Sequence, residues 1–216
     1  HYPLRRQRQM CIRDSYDASE FLNDRSTQTT FSESSFNQLM IRPEIRTVYK
    51  ATEKTTFVGG IGYTYETLDR TFFTEKPQFQ SPYAYVQYDG KPLKNLNVII
   101  GARFDHHNVY ASQFSPKLAF HYQINSKLSI KSSAGYGFKA PDFRQLYFNF
   151  TNGTVGYTVL GYNAVSDAIT QLEAEGQIAN QIVPISAFSD ELKPESSLAI
   201  NVGIDYEPTS KILVHL

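Results

Sequence analysis

The sequence has no tryptophan and a single cysteine, Cys11. One thiol cannot build an internal disulfide framework or a multi-cysteine metal site. No run of about 18 apolar residues occurs, which excludes helical membrane spans. The 21 basic residues balance 21 acidic ones, so there is no electrostatic footprint for nucleic acid as a partner. The start, HYPLRRQRQMCIRDS, is basic but lacks an apolar core and a small-residue cleavage site, so it does not read as a signal peptide. No nucleophile and base pair, paired-carboxylate site, phosphate-binding glycine loop or CxxC spacing is present. Nothing therefore points to an enzyme, a resident metal or a cofactor.

What is abundant is aromatic. Fifteen Tyr and fifteen Phe stand in a chain of only 41% hydrophobic residues. That combination suits a transmembrane β-barrel, in which only alternate residues of each strand are apolar and the signal per segment is weak.

Residues 1–15 differ in texture from the rest, and MCIRDS resembles translated adapter sequence. They read as a non-native or disordered leader, with a flexible basic arm as the other reading. Residues 16–35 are polar, lack a sustained period and read as a loop. From Phe36 strand texture begins. Leu39, Ile41, Pro43, Ile45, Thr47 and Tyr49 form one face, while Arg42, Glu44 and Arg46 line the other. Phe57 to Glu66 is the next strand, with Gly60 and Gly62 in its interior, where they relieve crowding or permit a bend. Further strands read as 82–88, 96–105, 117–124, 128–138, 196–206 and 211–216, about eight in all. Asp89-Gly90 supplies turn chemistry. The connections alternate, short at 50–54, 89–95, 124–127 and 207–210, and longer at 68–81, 106–113 and 140–195. Short turns at one end and long loops at the other are the layout of an outer-membrane barrel, periplasmic turns against extracellular loops. Within the longest connection, residues 164–182 carry apolar positions near helical spacing and predict a helix.

The organising stretch is LSIKSSAGYGFKAPDFRQLYF, Leu128 to Phe148. Leu128, Ile130, Ala134, Tyr136 and Phe138 share one face, and Ser129, Lys131, Ser133, Gly135 and Gly137 share the other. Pro141 then removes a ladder donor and ends the strand. Gly137-Phe138-Lys139-Ala140-Pro141, followed by Leu146-Tyr147, resembles the barrel motif of TonB-dependent outer-membrane receptors. Leu192, Pro194 and Glu195, ahead of another alternating strand, resemble that family's next landmark.

The resemblance implies an all-β, antiparallel, up-and-down transmembrane barrel, of which residues 36–216 are a part, with residues 140–195 as a long extracellular loop containing a short helix. It also implies partners: outer-membrane lipid, a metal-chelate ligand such as a ferric siderophore, haem or cobalamin, and the TonB complex, reached through a plug domain not visible in this chain. The chain thus reads as an internal piece of a larger barrel.

Two sets of candidate residues follow. At the loop entrance, Lys139 and Arg144 can attract an anionic chelate while Phe143 and Tyr147 stack on its rings; the competing reading is that the motif fixes the strand end. His106 and His107 can ligate a metal complex, although adjacent residues leaving a strand point apart. On the hydrated faces, Arg42, Glu44, Arg46, Arg103, Asp105, His121 and Lys131 can contact a plug or line a solute route, or simply wet the lumen. Two rival classes remain: a complete small barrel that anchors or adheres, and a secreted glycan-binding β-sandwich, whose strands would have one dry face.

Overall fold

The computed structural model describes residues 8–23, 30–73, 75–209 and 212–215. Its main body is one antiparallel sheet of nine strands: β1 (Arg8–Asn23), β2 (Thr30–Thr52), β3 (Thr55–Arg70), β4 (Gln78–Leu93), β5 (Leu96–Asp105), β6 (Gln113–Asn125), β7 (Leu128–Lys139), β10 (Glu195–Thr209) and β11 (Ile212–His215). Neighbours in sequence are neighbours in space, except that β7 pairs with β10 across the long connection. That connection holds its own hairpin, β8 (Asn149–Asn152) with β9 (Tyr157–Leu160), and two helices, α1 (Phe143–Tyr147) and α2 (Val165–Ala174).

The turns sort by end. At one end β2–β3, β4–β5 and β6–β7 are joined by two residues each, and side chains close them: Thr52 Oγ1 accepts the Lys54 N–H at 3.1 Å and Asn125 Oδ1 accepts the Lys127 N–H at 2.9 Å. Such short side-chain acceptors stand in for a backbone turn bond. At the other end lie the connections 71–77, 106–112 and 140–194.

The ladder register keeps each kind of side chain on its own flank. Ile45 faces Ile61 and Ile61 faces Ala84; Ala84 faces Phe104 and Phe104 faces Phe114; Leu118 faces Ala134 and Ala134 faces Ile200. Among the described residues nothing covers this flank. Ile100 is 52% exposed, Leu198 68% and Val202 70%. From Leu96 to Phe104 the apolar positions of β5 run roughly 26 Å along the strand, the scale of the apolar band of a membrane barrel. The even-numbered positions of 96–104 and 128–138 are therefore not pressed into a protein core.

The opposite flank carries Arg42, Glu44 and Arg46 on β2, Gly60, Gly62 and Thr64 on β3, Tyr83 and Tyr85 on β4, Arg103 and Asp105 on β5, and His121 and Lys131 on β6 and β7. Here the two glycines have a definite role. A Cβ on Gly60 would run into the Tyr85 ring, and one on Gly62 into the Tyr83 ring. Both rings lie flat across β3 and reach β2, a passage that only a residue without a side chain leaves open.

Several sequence expectations change. Residues 16–23 and 30–35 are not a loop but lie in β1 and β2; residues 24–29 are outside the described residues. These strand ends run beyond the apolar flank, so neither side needs to be greasy and no alternation marks them. Residues 8–15, set aside as a leader, also lie in β1 and pair with β2 from Arg8↔Arg46 onward; residues 1–7 are outside the described residues. Backbone pairing along an open edge asks little of side-chain identity, so texture is a poor guide there. The strands of the main sheet therefore number nine rather than eight. The Asp89-Gly90 turn moves to residues 94–95 because Gly90 is still paired, with Thr55 on one side and Val98 on the other. The helix read over 164–182 stops at Ala174, and Gly176 adopts φ 67°, a conformation that closes helices. Of the strand read over 211–216, residues 211 and 216 are outside the described residues.

The glycine passage gives a paired prediction. Gly62→Val should displace the Tyr83 ring and lower the yield of heat-modifiable folded barrel on unboiled gels. Gly59→Ala, whose added Cβ would meet only the Tyr85 carbonyl at 3.6 Å, should leave that yield unchanged; equal losses from both would contradict the passage.

Candidate functional site

On the polar flank the tyrosines build a carboxylate clamp. Tyr83 Oη donates to Glu44 Oε2 at 2.7 Å and Tyr85 Oη donates to Glu44 Oε1 at 2.9 Å, each crossing β3 over its glycine. The Arg103 guanidinium lies 4.0 Å from the Tyr83 ring centroid and bonds Asp105, with Nε to Oδ2 at 2.8 Å and Nη2 to Oδ1 at 2.6 Å. Arg42 Nε donates to Thr64 Oγ1 at 3.2 Å. Arg46, one step along β2, stands across from Gly60. Lower on the flank, Lys131 pairs with Asp205, which also meets His215 Nδ1 at 2.6 Å, and His121 sits opposite Lys131 in the ladder. The candidate inward residues thus share one face, but Arg42 to Asp105 and His121 to Lys131 form separate groups on it. The parity of Tyr83 and Tyr85 with Arg103 and Asp105 was available from sequence; their reach to Glu44 needed the register.

The long-loop end is organised by the Ala-Pro motif. Gly137, Phe138 and Lys139 pair with Ser197, Ser196 and Glu195, and Lys139 Nζ reaches Glu195 Oε1 at 3.1 Å. The two landmarks therefore meet as partners at the top of adjacent strands, with Pro194 just ahead of β10. After Ala140 and the buried Pro141, Asp142 caps α1: its Oδ1 accepts the Gln145 N–H at 2.8 Å, and Gln145 Oε1 accepts the Asp142 N–H at 2.9 Å, a capping box. The cap sets α1 so that Phe143 (6% exposed) and Leu146 (1%) enter a cluster with Leu68 and Phe79, and Tyr147 and Leu192 pack against it. Phe143 lies parallel to Phe79 at 3.8 Å. Its ring faces are committed to packing, which supports the reading that the motif fixes the strand end. Tyr147 is half-buried beside Phe73 and Phe79, whereas Arg144 projects outward.

The histidines part as their alternation requires. His106 is exposed and contacts Ser112 Oγ through Nδ1 at 2.9 Å. His107 is 6% exposed, stacked on Tyr110 at 3.5 Å and edge-on to Phe79 at 4.8 Å, with Nδ1 accepting the Val109 N–H at 3.1 Å. Burial, with the neighbouring His106 adding to it, pushes the His107 pKa down to about 4. It is a neutral packing residue between two aromatic rings.

Sequence reasoning passed over Arg70 and Phe148. Arg70 closes β3 with its guanidinium 5.5 Å from the Phe148 ring centroid, 5.6 Å from Phe72 and 5.8 Å from Phe36. Arg144 approaches the same Phe148 ring at 5.3 Å. Arg70 ends β3 within a segment, 68–81, read as one of the longer connections, which hid it.

An antiparallel sheet with an uncovered apolar flank, a charged opposite flank and alternating short and long connections is the wall of a β-barrel. The model of the family TonB dependent receptor-like, beta-barrel, matches residues 7–213, and the chain belongs to that family, whose members are outer-membrane receptors and transporters rather than enzymes. A probable TonB-dependent siderophore receptor PirA of Acinetobacter baumannii is 27% identical over 127 residues, 57% of this chain and 14% of the relative. Among solved structures, PirA of Acinetobacter baumannii gives a TM-score of 0.62 at 16% identity, over 95% of this chain and 30% of that one. A mutant ferric enterobactin receptor, PfeA of Pseudomonas aeruginosa, gives 0.64 at 14% identity, again over 95% and 30%. The chain thus spans less than a third of the length of these relatives, and the structural likeness concerns the fold.

Two measurements check the loop-end packing in the full-length receptor. Phe143→Ala should remove about 3–5 kcal/mol of local stability, seen as faster amide exchange and protease cleavage across residues 140–160; unchanged protection would refute the packing role. The His107 ring should titrate near pH 4. An imidazole that is less basic when folded than when exposed contributes stability in full above its ordinary value near 6.5, and that contribution falls as the pH drops from there to about 4. Loop protection should follow this profile, and His107→Phe should flatten it.

Proposed function

We propose that this chain forms part of the wall and mouth of an outer-membrane receptor that takes up a scarce iron chelate with energy delivered by TonB. The observation that carries the reading is the family match over nearly the whole chain on a sheet whose apolar flank is left uncovered. In the full receptor the apolar flank would face lipid, the two-residue turns the periplasm, and the long-loop end the outside. Siderophore receptors among the relatives favour a ferric siderophore over haem or cobalamin as the ligand.

The division of labour follows from the chemistry on each flank. A wall cannot supply energy; it supplies affinity at the mouth and a hydrated surface for whatever fills the bore. The clamp of Glu44 by Tyr83 and Tyr85 and the Arg103–Asp105 pair give that surface fixed charges, with the Arg46 charge acting on Glu44 as well and Arg42 bonded to Thr64. A plug domain is the partner such a surface would meet, and the loops above the Lys139–Glu195 junction are where a solute would first be held. A complete anchoring barrel is the second reading; the likeness to roughly thirty per cent of far longer receptors favours the first.

The test is iron uptake by the full-length receptor in a strain lacking its own ferric-siderophore receptors. Labelled ferric-siderophore accumulation should appear with the receptor and vanish when TonB is deleted; accumulation that survives that deletion, or none with any iron chelate, would overturn the reading. Lipid contact has its own check: Ile100→Arg, placing a charge on the uncovered flank, should cost about 2–4 kcal/mol and reduce folded receptor in the outer-membrane fraction.

A further inference from the structure

From a lapse in the β6–β7 ladder beside a hollow on the uncovered flank, we infer that the wall holds one acyl chain of lipid A at a fixed site between β5, β6 and β7. The inference rests on the outward orientation of the long loops in the proposed function and not on the solute carried.

The lapse begins at a proline. β5 and β6 stay paired up to Asp105↔Gln113, and β7 and β10 up to Lys139↔Glu195, but the pairs of β6 with β7 stop at Lys117↔Gly135. Pro116, the next residue of β6, has no N–H to give, and its one ladder partner is Ala102 on β5. Residues 113–115 and 136–139 consequently run past each other as a seam, although each segment is paired on its far side. Side chains deepen the wall beside it. On the uncovered flank the Ala102↔Pro116 pair lies between Phe104↔Phe114 towards the long loops and Ile100↔Leu118 towards the short turns, and Leu118 in turn faces Ala134. Two alanines and a proline framed by larger side chains leave a hollow of about 670 Å³, rimmed by Ile100, Leu118 and Tyr136 and reaching the backbone of Gly135 at the seam.

Height and chemistry select the occupant. Ala102 stands three residues from the Asp105 end of β5 and six from Leu96, roughly 10 Å against 20 Å along the strand. The hollow therefore opens into the half of the bilayer nearest the long loops, the outer leaflet, whose lipid in an outer membrane is lipid A. Its apolar lining gives an aqueous solute nothing to bond, whereas a saturated chain lying in it restores the dispersion contacts that a void forfeits. The seam asks for something different. Main-chain groups of 113–115 and 136–139 that a continued ladder would pair have no such partner among the described residues, and unpaired backbone is costly at membrane depth. The ester, amide and hydroxyl groups at the head of a lipid A chain lie at that height and can meet them. One ligand thus suits both halves, with its apolar tail in the hollow and its polar linkage at the seam. A glycerophospholipid shares the tail and the ester but belongs to the opposite leaflet.

The experiment uses the full-length receptor, purified in a mild detergent and titrated with lipid A or with phosphatidylethanolamine, and counts the bound lipid by native mass spectrometry. The double variant Ala102→Leu with Ala134→Leu fills the hollow, and Pro116→Val returns an N–H to the seam. Ala84→Leu adds the same bulk on the same flank but outside the hollow, where Ala84 faces Ile61 and Phe104; heat-modifiability on gels confirms that each variant is folded. The site predicts one lipid A kept by the parent at concentrations where phosphatidylethanolamine is not, retention about tenfold weaker in the filled variant, a smaller loss in Pro116→Val and none in Ala84→Leu. Parent-like lipid A retention in the folded filled variant overturns the inference, as does an equal loss from Ala84→Leu or equal retention of both lipids by the parent. Any of these results alongside TonB-dependent iron uptake leaves the proposed function standing. Uptake absent from a receptor whose lipid A retention still depends on the hollow removes that function and keeps the site.

Discussion

A strand with water on one side and nothing of its own fold on the other must sort its side chains by parity, and the rest of this sheet follows from that constraint. A slip of one residue in any ladder would carry Ile100 or Ile200 to the wet flank and Arg103 or Asn201 to the greasy one. The register shifts fall near strand ends, at Lys50/Thr52, Gly90/Leu93 and Gln123/Asn125 beside the short turns. There a bulge can be absorbed without exchanging flanks across the middle of the sheet.

The same constraint explains what was legible in the sequence. Between Leu39 and Tyr206 the alternation is strong because one side is apolar throughout, so the strands, their order and the contrast of short turns with long loops could be read directly. Where both sides are wet, the period has no reason to exist. Thr30 to Ser35 and Tyr16 to Asn23 are strand by pairing alone, and they read as loop. Contacts made across strands were hidden for a different reason. Glu44 and Tyr83 are neighbours through the register of three strands, and nothing in the local sequence of any one of them announces it. The glycines did leave a trace, since Gly60 and Gly62 in the middle of a strand ask for something large to pass over them.

The Ala-Pro motif shows how recognition of a pattern can run ahead of its physics. Its aromatic and basic residues suggest a ligand lip, yet the buried ones, Phe143 and Leu146, plug the top of the sheet against Leu68 and Phe79. The capping box at Asp142 fixes the first turn, and Lys139 meets Glu195 where the chain returns after a loop of more than fifty residues. The closure entropy of a loop grows only slowly with its length; stapling both its ends to one junction leaves the hairpin and α2 as smaller units hung from a fixed base. Arg144, on the solvent side of α1, faces outward.

Rigidity and charge are therefore distributed unevenly along the polar flank. In its middle, Tyr83, Tyr85, Glu44, Arg103 and Asp105 satisfy one another, so this stretch presents a surface with fixed donors and acceptors and little freedom to rearrange. At the long-loop end the order is reversed: the aromatic floor of Phe72 and Phe148 is fixed, but Arg70 and Arg144 beside it have no ion-pair partner among the described residues. A surface already satisfied has little to gain from a further ion, whereas one carrying surplus charge on a rigid base gains most from a counter-charge that needs no reorganisation to bind.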